Sequence, residues 1–186
     1  MAYTLANHPK SHMASSFAQL QLLQTILSVT QPTHVLEIGT FTGVAALAMA
    51  EVLPLHATLH TIEIREEDAD IAQHFFDKSN QKNQLILHRG NAATIIETLP
   101  HTWDFVFIDA DKTGYIQYYD LIVPRLSKHG SIVADNVLFH GQVWQQPLKG
   151  KNPQAIVQFL EHVQADARTS QVLLTVRDGV LWIRKN

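Results

Sequence analysis

Short apolar runs alternating with helix-length stretches constrain this chain more than any other feature. The runs are HVLEI (34–38), TLHTIEI (58–64), QLILHR (84–89), WDFVFID (103–109), SIVADN (131–136), QVLLTV (171–176) and GVLWIR (179–184). Between them, helical patterns cover 16–28, 43–52, 67–78, 91–99, 113–126 and 153–165. Strands joined by helix-length connections call for right-handed crossovers, hence a parallel sheet with helices on both faces. The last two runs are separated only by Arg177 and Asp178, too short for a crossover, so they should form an antiparallel hairpin at one edge. The expectation is a single α/β doubly wound domain whose seven-stranded, mostly parallel sheet ends in that hairpin.

In open α/β sheets, ligands bind beyond the carboxyl ends of the strands. The residues that close each run therefore carry the functional information. The first run closes with Glu37 and Gly39, the second with Glu63, and the third with Gly90, Asn91 and Ala92. The fourth closes with Asp109, Ala110, Asp111 and Lys112, and the fifth with Asp135 and Asn136. Acids and amides collect at one rim.

Gly39 and Gly43 bracket a strand-to-helix turn with Thr40, Phe41 and Thr42 between them. A dinucleotide site wants G-x-G-x-x-G, because its middle glycine lets the backbone approach a pyrophosphate. Phe41 stands in that place, which argues against a pyrophosphate ligand. Glu63 is placed to accept two hydrogen bonds from a ribose diol. An adenosine without phosphates suits this set, and S-adenosylmethionine is such a ligand, with an amino group for Glu37 and a carboxylate for backbone N–H groups. The same glycines would equally serve a bare tight turn, with Glu63 as a solvated cap.

Asp109, Asp135 and Asn136 offer three hard oxygen ligands on neighbouring strand ends. Such a set suits Mg²⁺, Ca²⁺ or Mn²⁺ rather than zinc. Taken singly, each acid would serve as a helix cap.

Composition removes several alternatives. The chain has 186 residues, 46% hydrophobic and 17% charged, which is a globular balance. A net charge of -3 without a Lys/Arg cluster counts against a nucleic-acid surface. No cysteine is present, so disulfides, thiolate metal sites and a cysteine nucleophile are excluded. No run reaches the roughly 18 apolar residues of a membrane span, and the start lacks a secretion signal, so a cytoplasmic protein is expected. The eleven histidines form no H-x-H or H-E-x-x-H pair; His140 alone follows the Asp135-Asn136 rim closely. With no G-x-S-x-G elbow, a hydrolase triad has little support.

Four blocks together resemble a known family: LEIGTFTG (36–43), FIDADKTGYIQYY (107–119), GSIVADNVLFHG (130–141) and DGVLWIRK (178–185). In this order they are similar to the metal-dependent class I S-adenosylmethionine O-methyltransferases, which include the caffeoyl-CoA and catechol O-methyltransferases and bacterial relatives. The likeness runs from about Met13 to the C-terminus. It implies the Rossmann-like class I methyltransferase fold. It also implies that Glu37, Gly39, Thr40, Gly43, Glu63, Ala92, Asp109, Asp111 and Tyr118 contact the methyl donor, that Asp109, Asp135 and Asn136 hold a divalent metal, and that Lys112, as the base, and Asp109 are the catalytic residues.

The acceptor implied is a small catechol-like or vicinal-diol phenol, and the assembly implied is a homodimer. Some bacterial relatives methylate a hydroxylated uridine in tRNA, a second reading; a non-catalytic S-adenosylmethionine-binding protein is a third. The chain departs from the family in its short N-terminal segment (1–14), in Ala45 after the glycine turn, and in His140.

Overall fold

Every expected apolar run forms a strand in the computed structural model, which describes residues 1–186. The chain divides into two compact units, Met1–Ala92 and Ala93–Asn186.

The first unit begins with α1 (Ala2–Asn7) and a 3-10 turn (Ser11–Met13), followed by α2 (Phe17–Thr30). A capping box starts α2: the Ser16 hydroxyl accepts from the Gln19 backbone while the Gln19 side chain accepts from the Ser16 N–H. It stops at Gln31, which adopts left-handed geometry. Then come β1 (His34–Ile38), α3 (Val44–Ala50), β2 (Thr58–Glu63), α4 (Glu66–Lys78) and β3 (Leu85–Arg89). Glu66, Glu67 and Asp68 in the first turn of α4 and Lys78 in its last complement the helix dipole. The three strands are parallel in the order β3-β2-β1, with Ile38 level with Ile62 and Glu63 level with Arg89. Leu27, Val35, Leu36, Met49, Leu59 and Phe76 fill the core of this unit. Each such side chain contributes about 1.5–3 kcal/mol by leaving water.

The second unit takes up α5 (Ala92–Thr98) at its start, then β4 (Trp103–Ile108), α6 (Tyr115–Ile122), β5 (Leu126–Asp135), α7 (Lys151–Ala165), β6 (Thr169–Leu174) and β7 (Val180–Lys185). Its strand order is β4-β5-β7-β6. Strands β4 and β5 are parallel, whereas β7 is antiparallel to β5 and, as expected of so short a connection, to β6. The hairpin loop is longer than expected, because pairing stops at Leu174 and Val180.

Three segments depart from the sequence expectation. The helix expected over 113–126 is divided into a 3-10 turn (Lys112–Gly114), α6, and a second 3-10 turn (Val123–Arg125) at Pro124, which lacks the N–H that a continuing helix needs. Strand β5 starts five residues before 131, and its register against β4 shifts between Trp103 and Phe105. Gly130 permits this close approach, since a Cβ there would lie 2.7 Å from the Trp103 carbonyl oxygen. Finally, α1 and a 3-10 segment at Phe139–Trp144 occupy stretches for which the sequence pattern indicates no element.

Candidate active site

In the first unit the rim is built around two carboxylates. Glu37, fully buried near the end of β1, accepts a short hydrogen bond from the Thr61 hydroxyl. Because the Thr61 proton is committed to Glu37, the Thr40 hydroxyl, 2.5 Å away, is the donor to Thr61. The chain Thr40→Thr61→Glu37 stabilises a charge whose burial without partners would cost several kcal/mol, on the order of the penalty for any desolvated ion.

Glu63 closes β2 and ties the turn to it. Its Oε2 accepts the Phe41 N–H at 2.7 Å and its Oε1 the Arg65 N–H at 2.9 Å. Each oxygen thereby keeps acceptor capacity for a further donor. Phe41 sits at φ 50, in left-handed geometry that a bulky residue rarely adopts. Its ring is held by the edge of His8 at 4.6 Å and the guanidinium of Arg65 at 5.5 Å.

The glycines shape this turn. Gly43 has φ 82, and a Cβ there would lie 2.6 Å from the Phe76 ring, so glycine lets the start of α3 pack on α4. The N–H groups of Gly39 and Thr40 both donate to the Ile62 carbonyl, and that of Gly43 to the Thr40 carbonyl. These three backbone donors are therefore committed inside the turn. Ala92 lies buried at the first position of α5, and Ala45 is buried within α3.

In the second unit the ends of β4 and β5 bring a lysine together with the expected oxygen ligands. The buried Lys112 Nζ lies 2.6 Å from the Tyr115 hydroxyl, 3.1 Å from Asn136 Oδ1, 3.3 Å from Asp109 Oδ1 and 3.5 Å from the Asp135 carbonyl, four acceptors around three N–H bonds. Asn136 adopts φ 59, turning the chain as β5 ends. Two ligand-type side-chain oxygens thus converge on one cationic centre, while Asp135 reaches it through its backbone. Nowhere in the chain do three Asp, Glu, His or Cys side chains form a cluster able to hold a metal ion. This set is instead two carboxylates and an amide.

Around it, Asp111 accepts from the buried Tyr118 hydroxyl at 2.6 Å and from Thr113 at 3.2 Å. Burial first, then Asp111, raises the Tyr118 hydroxyl above the ordinary tyrosine range. Burial, reinforced by Asp109 and Asp135, pushes the Tyr115 hydroxyl well above it too. Both phenols stay protonated and act as donors.

The loop after Asn136 is held by the hairpin. Leu138 N–H donates to the Asp178 carbonyl at 2.9 Å, Val137 N–H to the Gly179 carbonyl at 3.1 Å, and His140 N–H to Asp178 Oδ1 at 2.5 Å. Gly179 must be glycine here, since a Cβ would come within 2.3 Å of Leu138. His140 itself projects into solvent, 77% exposed, with its ring 3.5 Å from Asp178.

Residues 2–186 match the O-methyltransferase family. The chain belongs to that family. It is 30% identical over 190 residues to a probable caffeoyl-CoA O-methyltransferase 2 of Dictyostelium discoideum, covering 98% of this chain and 82% of the relative. Among solved structures, it superposes with a TM-score of 0.91 on an O-methyltransferase from Bacillus cereus in complex with SAH, at 26% identity over 100% of this chain and 87% of that one. An SAH-bound methyltransferase from Podospora anserina gives a TM-score of 0.92 at 29% identity, covering 100% and 85%. The class I methyltransferase fold that the family resemblance implies is thereby shown.

Within this O-methyltransferase, sequence reasoning missed Thr61, Tyr115 and Asp178. Thr61 reads as an ordinary strand threonine, and Tyr115 as one of three tyrosines in YIQYY. Asp178 reads only as half of the short spacing between the last two strands and as the start of a motif. The N-terminal segment also takes part in this unit: Thr4 and His8 reach the glycine turn and the start of α4.

Proposed function

We propose that this O-methyltransferase moves the methyl group of S-adenosylmethionine to one hydroxyl of a small catechol-like or vicinal-diol phenol, assisted by a divalent cation, Mg²⁺ ahead of Ca²⁺ or Mn²⁺. The observation that carries the reading is the gathering of Asp109, Asn136 and Lys112 at the ends of β4 and β5. The catechol class follows the caffeoyl-CoA O-methyltransferases to which the chain is similar.

The donor assignment rests on Glu37, Gly39, Thr40, Gly43, Glu63 and Ala92 in the first unit; the remaining donor residues, Asp109, Asp111 and Tyr118, belong to the second. Glu63, fixed by two backbone N–H groups, keeps lone pairs for a vicinal diol. Gly39 and Gly43 act by shape, since their N–H groups are committed within the chain. The donor supplies a methyl group on a positively charged sulfur, which needs no covalent enzyme intermediate.

Asp109, Asp135 and Asn136 would hold the cation. Their oxygens are of the hard type that Mg²⁺ prefers, and two of them already face one positive centre. A cation held by these residues would supply a lowered pKa and a fixed direction for an acceptor hydroxyl. Lys112, as the neutral amine, would take the acceptor's proton at Nζ, where its near-complete burial keeps water from that transfer. Asp109 and Asn136 both orient Lys112 through their side-chain oxygens. Much of the rate then comes from geometry.

No helix is long and apolar enough to cross a membrane. With a cysteine-free chain, we assign the enzyme to the cytoplasm, acting as a homodimer. Asp135→Ala tests the reading. Methyl transfer should be lost while SAH affinity stays within about twofold. Persisting turnover would remove the metal assignment.

A further inference from the structure

We infer that Tyr115 is a positioning residue for Lys112, acting through its phenolic hydroxyl at the point where β4 and β5 end. The inference rests on the methyl-transfer reading above and names a residue that reading does not use. Tyr115 is the first residue of α6 and is completely buried. Its hydroxyl oxygen lies 2.6 Å from Lys112 Nζ, nearer than Asn136 Oδ1, Asp109 Oδ1 or the Asp135 carbonyl.

The hydroxyl proton faces two backbone acceptors, the Asp135 carbonyl at 3.0 Å and the Ile108 carbonyl at 3.2 Å. Those carbonyls immediately precede Asn136 and Asp109 in the chain. One oxygen atom therefore accepts from the lysine and donates to the two strand ends that carry its other partners. A lysine side chain has four flexible carbons and a freely rotating ammonium, so something rigid must define where Nζ sits. The Tyr115 ring, with its centroid 4.7 Å from Nζ, supplies the second point of restraint.

A purely structural tyrosine would need only its ring. That ring packs edge-on against Phe159 at 5.4 Å, a contact phenylalanine would keep. The hydroxyl has no part in it, so the two roles separate experimentally.

The test measures single-turnover methyl transfer in Tyr115→Phe, Lys112→Met and the double variant, together with SAH affinity and the thermal midpoint. We expect Tyr115→Phe to slow transfer by about 10–100-fold, the scale of a small misplacement of a reacting group. SAH affinity should not change. In the Lys112→Met background the same substitution should have no further effect, because a residue acting only through Lys112 has nothing left to position. Phe159→Leu, which disturbs the ring packing but keeps the hydroxyl, should transfer at close to the native rate. An unchanged rate in Tyr115→Phe, or the same factor lost in both backgrounds, would overturn the inference. A native enzyme that transfers no methyl group would instead defeat the functional reading itself, and Lys112→Met turning over normally would remove Lys112 and Tyr115 from it together.

Discussion

Thr4 and Thr42 share a buried side-chain hydrogen bond of 2.9 Å that fastens α1 to the glycine turn. Nearby, His8 Nε2 lies 2.9 Å from Asp68 Oδ1, and the same imidazole packs on Phe41. The N-terminal segment is thus a strap over the turn that carries the donor assignment. Thr4→Val keeps the shape and removes the hydroxyl, leaving the Thr42 hydroxyl buried without this partner. Denaturant unfolding should register a loss of about 1–3 kcal/mol, with Thr4→Ser recovering most of it. Equal stability for Thr4→Val would mean that the strap contributes nothing.

Gly43→Ala meets two obstacles at once. Its φ of 82 disfavours an L side chain, and the new Cβ would sit 2.6 Å from Phe76 and 3.2 Å from Ala72. Strain of this kind costs about 1–3 kcal/mol per position, with overpacking adding to it. A thermal midpoint lowered by several degrees is the expected result. Phe76→Leu should relieve the clash in part but leave the backbone strain, so the double variant should fall between native and Gly43→Ala.

Asp166 joins the end of α7 to the start of β6. Its carboxylate binds the Arg168 guanidinium at 2.6 Å and accepts from the Tyr119 hydroxyl at 3.0 Å. The Arg168 hydrogen bond holds the Asp166 carboxyl well below its ordinary 3.8, while burial pushes the Tyr119 hydroxyl up to about 12. A depressed carboxyl stabilises the fold in full above 3.8, and that contribution is lost as the pH falls from there through the lowered value. Arg168 is half exposed, so solvent screening keeps the effect modest. The stability difference between native protein and Asp166→Asn should therefore be constant from pH 7 to about pH 5 and narrow only below the ordinary carboxylate range. A difference that changes between pH 7 and 5 would point to another group.

The strands were legible because apolar side chains must be buried whatever the long-range context. Glu63, Asp109 and Asn136 stood out only because acids and amides collect at neighbouring strand ends, since any one of them alone would read as a cap. Contacts between distant residues were not legible. Thr61 was hidden because strands favour threonine for its own sake, and nothing local says that it faces Glu37. Tyr115 differs from Tyr118 and Tyr119 only in where α6 begins, which in turn depends on the 3-10 turn at Lys112. The commitment of the Gly39 and Thr40 N–H groups to Ile62 is likewise a matter of the neighbouring strand. Helix α1 is six residues long, too short for apolar periodicity to register, and its one buried contact lies 38 residues away.

The most direct measurement is methyl transfer from labelled S-adenosylmethionine to a simple catechol, first with Mg²⁺ and then with EDTA. The account predicts labelled methoxy product with the metal and loss of that product on chelation. Product formed equally well in EDTA would contradict the role given to Asp109, Asp135 and Asn136, and no product under either condition, with SAH still bound, would contradict the acceptor.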